Sequence, residues 1–146
     1  MQAKKEGLMG EKKVKGRKRQ VSVDVLGCLH HIYCHAANRS DTKEACSVVD
    51  RLVDKHPSLK AFSGDGGFRG AVVDYSVEVL KRPFDIYLGI KGEGRFIPIA
   101  IRWVVERTLS WISNFRRTLC DYEKVPGNSE NIVRISMIKI MLAKLI

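Results

Sequence analysis

The sequence predicts an α/β domain, because segments that alternate polar and apolar residues are interleaved with segments of helical periodicity. In chain order these segments give two strands, a helix, a strand, a helix, a strand and two helices. The 146 residues, of which 45% are hydrophobic and 29% charged, suffice for one domain with a buried core. The formal net charge of +10 departs from an ordinary soluble protein and indicates a polyanionic partner.

A hairpin and a helix are predicted in the first part of the chain. Residues 20–24 alternate in polarity and predict a strand, and residues 28–37 predict a second one. Between them, residues 24–27 carry Asp and Gly at the first and fourth positions of a type I turn. The helix that follows is expected to begin at Asp41, a good N-cap, and to end before Pro57.

Five more elements complete the prediction. They are a strand at residues 59–63, a helix at 71–81, a strand at 85–90, a helix at about 101–117 and a final helix. Asn128 or Ser129 is the predicted cap of the final helix. This helix is expected to be amphipathic, with an apolar face made of Ile132, Ile135, Ile138, Met141, Leu142 and Leu145.

The N-terminal segment concentrates the positive charge. Residues 1–20 contain eight Lys or Arg residues against two Glu, with too little apolar surface to form a core. We therefore expect a flexible basic arm over residues 1–16 and a folded domain over 17–146. The basic residues expected to contact DNA phosphates are Lys12, Lys13, Lys15, Arg17, Lys18 and Arg19. The alternative is a solvated tail with no partner.

Composition also bears on the compartment. The first apolar run follows the long basic segment, which is not the order of a secretory signal peptide. Apolar runs are too short to cross a membrane, so no membrane partner is expected. The four cysteines show no disulfide or metal-ligand spacing, which favours a reduced, cytoplasmic chain. Cys and His residues within 28–35 alternate between the two faces of a strand and do not predict a zinc site.

Two carboxylates have settings that suit a divalent cation. Asp65 follows a predicted strand in a glycine-rich turn, where missing side chains let a nucleic-acid backbone approach. Glu106 lies on a predicted helix, with Arg102 four residues before it and Arg107 directly after it. Carboxylates hold Mg²⁺ or Mn²⁺, and arginine binds phosphate through two N–H groups at once. The plainer alternatives are an ordinary turn at Asp65 and a surface ion pair at Glu106.

Four segments, in this order, resemble bacterial insertion-sequence transposases of the DDE class. They are KKVKGRKR at 12–19, VDVLG at 23–27, DGGFRG at 65–70 and RWVVERT at 102–108. The DYE segment at 121–123 and the final helix are also similar, so the resemblance covers nearly the whole chain from Lys12 onward. It implies an RNase H-like fold, in which a mixed sheet is flanked by helices. The implied chemistry is Mg²⁺- or Mn²⁺-dependent hydrolysis and strand transfer at transposon ends.

The resemblance also assigns residues. It matches Asp65 to the family's second catalytic aspartate, Glu106 to the catalytic glutamate, and Arg102 to the arginine of its Tyr-Arg-Glu-Lys signature. The tyrosine and lysine of that signature are replaced by Ile99 and Ser113.

The front of the family fold is not matched. The family has three strands before its first helix and carries its first catalytic aspartate on the first of them. This chain predicts only two, so the first strand and its aspartate are expected to be missing. Asp24, which falls in the hairpin turn, is a weak substitute for that aspartate.

The sequence thus predicts a truncated transposase catalytic domain, located in the cytoplasm at the nucleoid, that acts on transposon ends and target DNA. The alternative is a non-catalytic DNA-binding remnant that competes with, or assembles with, a full-length transposase or copies of itself. A decayed reading frame without stable function is a third interpretation. Asp65 and Glu106 are expected to lie close enough to share a metal or to bind two adjacent ones.

Overall fold

The computed structural model describes residues 7–8, 15–88 and 100–145, and it divides into two compact units. The terminal unit comprises residues 1–39 and 105–146, and the middle unit comprises residues 40–104. Both helices and strands are present, which confirms the predicted α/β class. No helix among the described residues is both long enough and apolar enough to cross a bilayer.

The terminal unit is built on an antiparallel sheet. Its strands are β1 (Gly7–Leu8), β2 (Lys15–Val23) and β3 (Leu29–Ala36), arranged in that order. The predicted hairpin is therefore confirmed, with a backbone hydrogen bond of 3.0 Å from Gly27 N to Asp24 O closing its turn. The first hairpin strand begins at Lys15, five residues before the predicted start at residue 20, because Arg17, Lys18 and Arg19 pair with the end of β3.

Helices complete the terminal unit. The helix α3 (Ala100–Ser113), which belongs to the terminal unit from Val105 onward, ends four residues earlier than predicted and is followed by the short α4 (Arg116–Leu119). The long α5 (Pro126–Ala143) packs on β3, and the core consists of Ile32, Ile112, Val133 and Met137. The α5 helix begins at Pro126, so the predicted capping by Asn128 or Ser129 was wrong. Proline suits the first helical position because the N–H that it lacks has no helical partner there.

The prediction that α5 is amphipathic was also wrong. Its buried residues are Ser129, Val133, Ser136 and Met137. The opposite side is apolar and exposed, at Ile135 (62% exposed), Ile138 (56%), Met141 (41%), Leu142 (54%) and Leu145 (82%). Buried hydroxyls are tolerated because they find partners within the fold: Ser136 Oγ donates to Ile132 O over 2.9 Å. The α5 helix is therefore apolar on two sides.

The middle unit is a contiguous stretch of α and β elements. Its helices are α1 (Asp41–Lys55) and α2 (Ala71–Glu78), and its strands are β4 (Phe62–Asp65) and β5 (Phe84–Tyr87). These strands pair in parallel, and the buried residues Ala45, Val49 and Val72 pack with neighbouring aromatic rings, among them those of Phe62 and Phe84. Ser40, not Asp41, is the N-cap residue of α1.

Three predicted boundaries of the middle unit shift. The β4 strand begins at Phe62, where its N–H donates to Pro83 O over 2.9 Å, rather than at residue 59. The α2 helix ends at Glu78 rather than residue 81. The predicted strand at 85–90 begins at Phe84, and residues 89 and 90 lie outside the described part.

The described strands form two separate sheets, one antiparallel and one parallel. The resemblance implies a single mixed sheet, so the described residues establish the α/β class while the RNase H-like arrangement stays a prediction. Within the middle unit, the parallel pairing means that both strands end at the same edge of their sheet. Asp65, the last residue of β4, lies at that edge beside Tyr87 of β5.

Candidate functional site

Asp65 lies at the carboxyl end of a parallel strand. Its side chain caps a single 3₁₀ turn, Gly66–Phe68, in which Asp65 Oδ1 accepts a hydrogen bond of 2.9 Å from Gly67 N. The residue is exposed to solvent. In open α/β sheets, ligands bind outside the carboxyl ends of the strands, so Asp65 occupies a position from which a carboxylate can reach a ligand.

The glycines around Asp65 have a role that the sequence did not reveal. A Cβ atom at Gly67 would lie 3.1 Å from Asp65 Oδ1, and one at Gly64 would lie 3.1 Å from the Phe84 ring. Both glycines therefore make room for neighbours inside the protein: Gly67 for the capping carboxylate, and Gly64 for an aromatic ring of the core. The predicted close approach of a nucleic-acid backbone is not needed to explain them.

Glu106 and its neighbouring arginines lie on α3. Glu106 and Arg102 are exposed and one helical turn apart, which places them on the same face of the helix. Glu106 belongs to the terminal unit, whereas Asp65 belongs to the middle unit. The convergence of these two carboxylates on a shared metal therefore stays a prediction.

Arg107 has a defined structural contact. Its Nη2 donates to Leu26 O over 3.0 Å, and its guanidinium carbon lies 4.8 Å from the centre of the Trp111 ring. The adjacent Thr108 is fully buried and donates from Oγ1 to Gly27 O over 2.9 Å. Arg107 and Thr108 together fix the β2–β3 turn against α3. The predicted phosphate contact at Arg107 would have to compete with this bond.

Asp24 closes the same turn. Its Oδ1 accepts hydrogen bonds from Leu26 N (2.9 Å) and Cys28 N (2.8 Å), and its Oδ2 lies 3.7 Å from His30 Nε2. An aspartate that accepts from backbone N–H groups two and four residues later stabilises a turn. The geometry thus gives Asp24 a structural role, and nothing in it favours this residue as a third metal ligand.

Two arginines of the predicted DNA-binding run bind inside the protein. Arg17 forms an ion pair of 3.0 Å from Nε to Asp121 Oδ2, donates from Nη2 to Glu123 O, and has a side chain only 4% exposed. Arg19 donates to Thr118 O and, over 3.3 Å, to Ser129 Oγ. We call these contacts the arginine latch, since they fasten β2 to residues 118–129.

The geometry of a β-strand explains why only some of these basic residues bind inside the protein. Arg17 and Arg19 are two residues apart on β2 and share a face, whereas Lys18 lies on the other face. Lys18 Nζ makes a long contact of 3.5 Å with Arg39 O. Lys12, Lys13 and the Lys15 side chain lie outside the described residues.

The described residues include no group of three or more His, Cys, Asp or Glu side chains arranged to hold a metal ion. A Mg²⁺ ion needs only one or two protein carboxylates, because it keeps several of its waters. Asp65 is suited to such a role through its carboxylate oxygens and its exposure. The metal that the resemblance implies at Asp65 and Glu106 stays a prediction.

A cavity that the sequence did not predict lies in the terminal unit between β3 and the start of α5. It has a volume of about 470 Å³ and is lined by Tyr33, Cys34, His35, Ala36, Asn38, Arg39, Pro126 and Glu130. Burial raises the pKa of the Cys34 thiol, although its hydrogen bond with Ser129 acts in the opposite direction. Glu130 Oε1 accepts from Cys34 N over 3.0 Å, and its Oε2 pairs with Arg134, also over 3.0 Å. The hydrogen-bonding groups of Cys34, Ser129, Glu130 and Arg134 are thus paired with one another, which indicates that this cluster has a structural role.

Comparison of the chain with protein-family models, with curated proteins and with solved structures gave no match. The resemblance to DDE transposases therefore rests on the sequence segments alone and stays a prediction.

Proposed function

We propose that this chain is a DNA-binding polypeptide derived from a DDE transposase, carrying two of its three catalytic carboxylates, Asp65 and Glu106. The observation that carries the proposal is the exposed Asp65 at the carboxyl end of a parallel strand, within the DGGFRG segment that carries the resemblance. Glu106, exposed on α3 with Arg102 one turn away, is the second carboxylate. The proposed partners are transposon ends and target DNA.

The proposed metal set is incomplete. Phosphodiester chemistry of this class uses two ions about 4 Å apart, which activate one oxygen and stabilise the leaving one. Asp24 is occupied by two backbone hydrogen bonds and by the neighbouring His30. A site short of one carboxylate holds its metals less firmly, and a misplacement of 1 Å can lower a rate by about 100-fold. This is why we propose that the chain binds DNA without cleaving it efficiently.

A nicking assay with Mn²⁺ tests the catalytic part. We expect the chain alone to nick transposon-end DNA no faster than its Glu106→Gln variant, because Asp24, the weak candidate for the third ligand, is held in its turn by two backbone hydrogen bonds. Supplying an aspartate-bearing strand, as an added peptide or an upstream fusion, should produce nicking that Glu106→Gln abolishes. Robust nicking by the unmodified chain, lost in Glu106→Gln, would show that its carboxylate set is complete. That result would restore Asp24 as a candidate ligand.

Metal binding can be tested independently of activity. We expect Mn²⁺ to broaden the amide NMR signals of Gly66, Gly67 and Phe68, which surround the Asp65 carboxylate. The Asp65→Asn variant keeps an oxygen that can accept the bond from Gly67 N but loses the charge, so it should abolish the broadening while leaving the 3₁₀ turn intact. If broadening is equal in both proteins, or absent from the unmodified chain, the non-catalytic DNA-binding remnant becomes the better interpretation.

The DNA-binding part is tested by salt dependence. With Arg17 and Arg19 engaged in the latch, the proposed phosphate contacts fall to the lysines of the N-terminal segment, and those that precede β2 are Lys4, Lys5, Lys12 and Lys13. Replacing these four lysines with alanine should flatten the slope of log K against log salt concentration by roughly 3 to 4. Substitution is preferable to deletion of residues 1–19, which would remove most of β2.

The matched control for the DNA measurement is a variant with four exposed lysines replaced elsewhere in the described chain, at Lys43, Lys55, Lys60 and Lys124. Its slope should stay within about one unit of that of the unmodified chain. An unchanged slope in the arm variant, together with a flattened slope in the control variant, would assign DNA binding to another surface.

A further inference from the structure

The exposed side of α5 carries an apolar stripe. Ile135, Ile138, Leu142 and Leu145 follow one another at intervals of three, four and three residues, and each is more than half exposed. This is the spacing of the contact positions in a helix that packs along another helix. Helices that are apolar on all sides are normally covered, and large exposed apolar patches mark interaction sites. The stripe therefore has the form of a docking surface.

A groove extends the stripe toward α4. It has a volume of about 340 Å³ and is lined by Phe115, Arg116, Arg117, Ile132, Ile135 and Ser136. Ile135 belongs to both features, so the groove and the stripe are continuous. An apolar floor with arginines at its rim fits a partner that presents apolar side chains next to carboxylates.

The charged residues beside the stripe indicate which charge a partner should carry. Of the charged residues of α5, Arg134 and Lys139 stand in the positions next to the stripe, and both are basic, whereas the single acidic residue, Glu130, lies farther round the helix. Glu130 already pairs with Arg134 over 3.0 Å, and Glu123 pairs with Arg117. Lys139 Nζ lies 5.4 Å from the centre of the Phe115 ring, beside the groove. The flanks are positive overall.

A second copy of α5 is a poor match for these flanks. In a parallel pairing along the stripe, Arg134 of one helix would face Lys139 of the other, since they stand in the flanking positions that meet across such an interface. In an antiparallel pairing the two Lys139 residues would meet. Both arrangements place like charges together, which disfavours self-association.

We propose that the stripe and the groove bind an amphipathic helix of another protein, with acidic residues flanking its apolar face. The apolar face of the partner covers Ile135, Ile138 and Leu142, and its carboxylates lie against Arg116 and Lys139. This interaction is separate from the proposed DNA binding and does not depend on it. Two partner requirements follow: an apolar stripe of matching spacing, and negative charge at its edges.

The test uses three fluorescent peptides, each about six helical turns long, with the full-length chain. One has leucine at the contact positions and glutamate at the flanking positions, the second has lysine in place of glutamate, and the third is a scrambled version of the first. Fluorescence anisotropy should give the acidic helix at least tenfold tighter binding than either other peptide. Ile138→Asp should weaken it about tenfold or more, whereas Val25→Asp, which changes an apolar residue 84% exposed in the β2–β3 turn, should not.

Charge reversal tests the electrostatic part of the interaction. Exchanging Arg116 and Lys139 for glutamate should shift preference from the acidic to the lysine peptide. Equal binding of the scrambled peptide, or no effect of Ile138→Asp, would overturn the proposal. So would sedimentation data showing a dimer that Ile138→Asp dissociates and the acidic peptide leaves intact, since the stripe would then bind a second copy. Displacement of the peptide by duplex DNA would assign the stripe to the DNA surface and would also overturn it.

Discussion

The Arg17→Met substitution is expected to lower the free energy of unfolding of the terminal unit by about 3 to 4 kcal/mol, because it leaves the partner of a buried ion pair without its counter-charge. The Arg17 side chain is 4% exposed and its partner Asp121 is 21% exposed. The same substitution removes the donor to Glu123 O. Methionine retains much of the aliphatic volume, so the loss reports on the charge and its hydrogen bonds.

Urea denaturation measures this effect. Trp103 lies in the middle unit and Trp111 in the terminal unit, so a Trp103→Phe background makes Trp111 fluorescence a reporter of the terminal unit. The control is Lys18→Met, the same kind of change one residue away on the opposite face of β2, which should cost no more than about 0.5 kcal/mol. Equal losses for Arg17→Met and Lys18→Met would show that the arginine latch does not stabilise the unit.

The Gly27→Ala substitution should be nearly as damaging, at about 3 kcal/mol, because two unfavourable effects coincide there. Gly27 has a φ of +86°, a left-handed conformation in which a Cβ is strained by roughly 1 to 2 kcal/mol. The added Cβ would also lie 2.6 Å from Thr108 Oγ1, which is buried and bonded to Gly27 O. Backbone strain and steric overlap therefore add to each other at this position.

A double-mutant cycle separates the two contributions. Thr108→Ala removes the overlapping oxygen at the expense of one hydrogen bond, a loss of about 1 kcal/mol. In that background Gly27→Ala should retain its backbone strain but lose most of the steric overlap. The loss of unfolding free energy in the double variant should therefore be smaller than the sum of the two single losses by about 1 kcal/mol or more. Strict additivity in the same urea assay would mean that the turn moves away from α3 without penalty.

Local sequence patterns predicted most of the helices and strands, but not the long-range contacts that their side chains make. The hairpin and the helices follow from polarity periods of two and about 3.6 residues, which depend only on neighbours in the chain. The role of Arg17 depends on a partner 106 residues later, in a segment that covers one face of β2. Periodicity led us to predict that the apolar stripe of α5 is its buried face, whereas the structure leaves that stripe exposed. The pattern could not reveal that Ser129 and Ser136 lie in the interior, because their burial depends on hydrogen-bond partners that they find in the fold.

The candidate site was predictable to the same extent. The position of Asp65 at a strand end follows from local sequence, since a strand that runs into a glycine-rich turn places its last residue at the sheet edge. Its relation to Glu106 depends on how two separate units are placed, which no local pattern encodes. The engagement of Arg107 with Leu26 O was equally hidden, because it depends on α3 meeting a turn 81 residues earlier.

The arrangement of the two units also sets an order for folding during synthesis. The middle unit is one uninterrupted stretch, residues 40–104, and all the strands and helices around its core come off the ribosome in succession. The terminal unit needs residues on both sides of that stretch, and the carbonyls that receive Arg17 and Arg19 belong to Glu123 and Thr118. Contacts so distant along the chain close late and slowly. The N-terminal hairpin must therefore wait, with its basic strand uncovered, until α4 and α5 have been made, and during that interval the strand is accessible to chaperones.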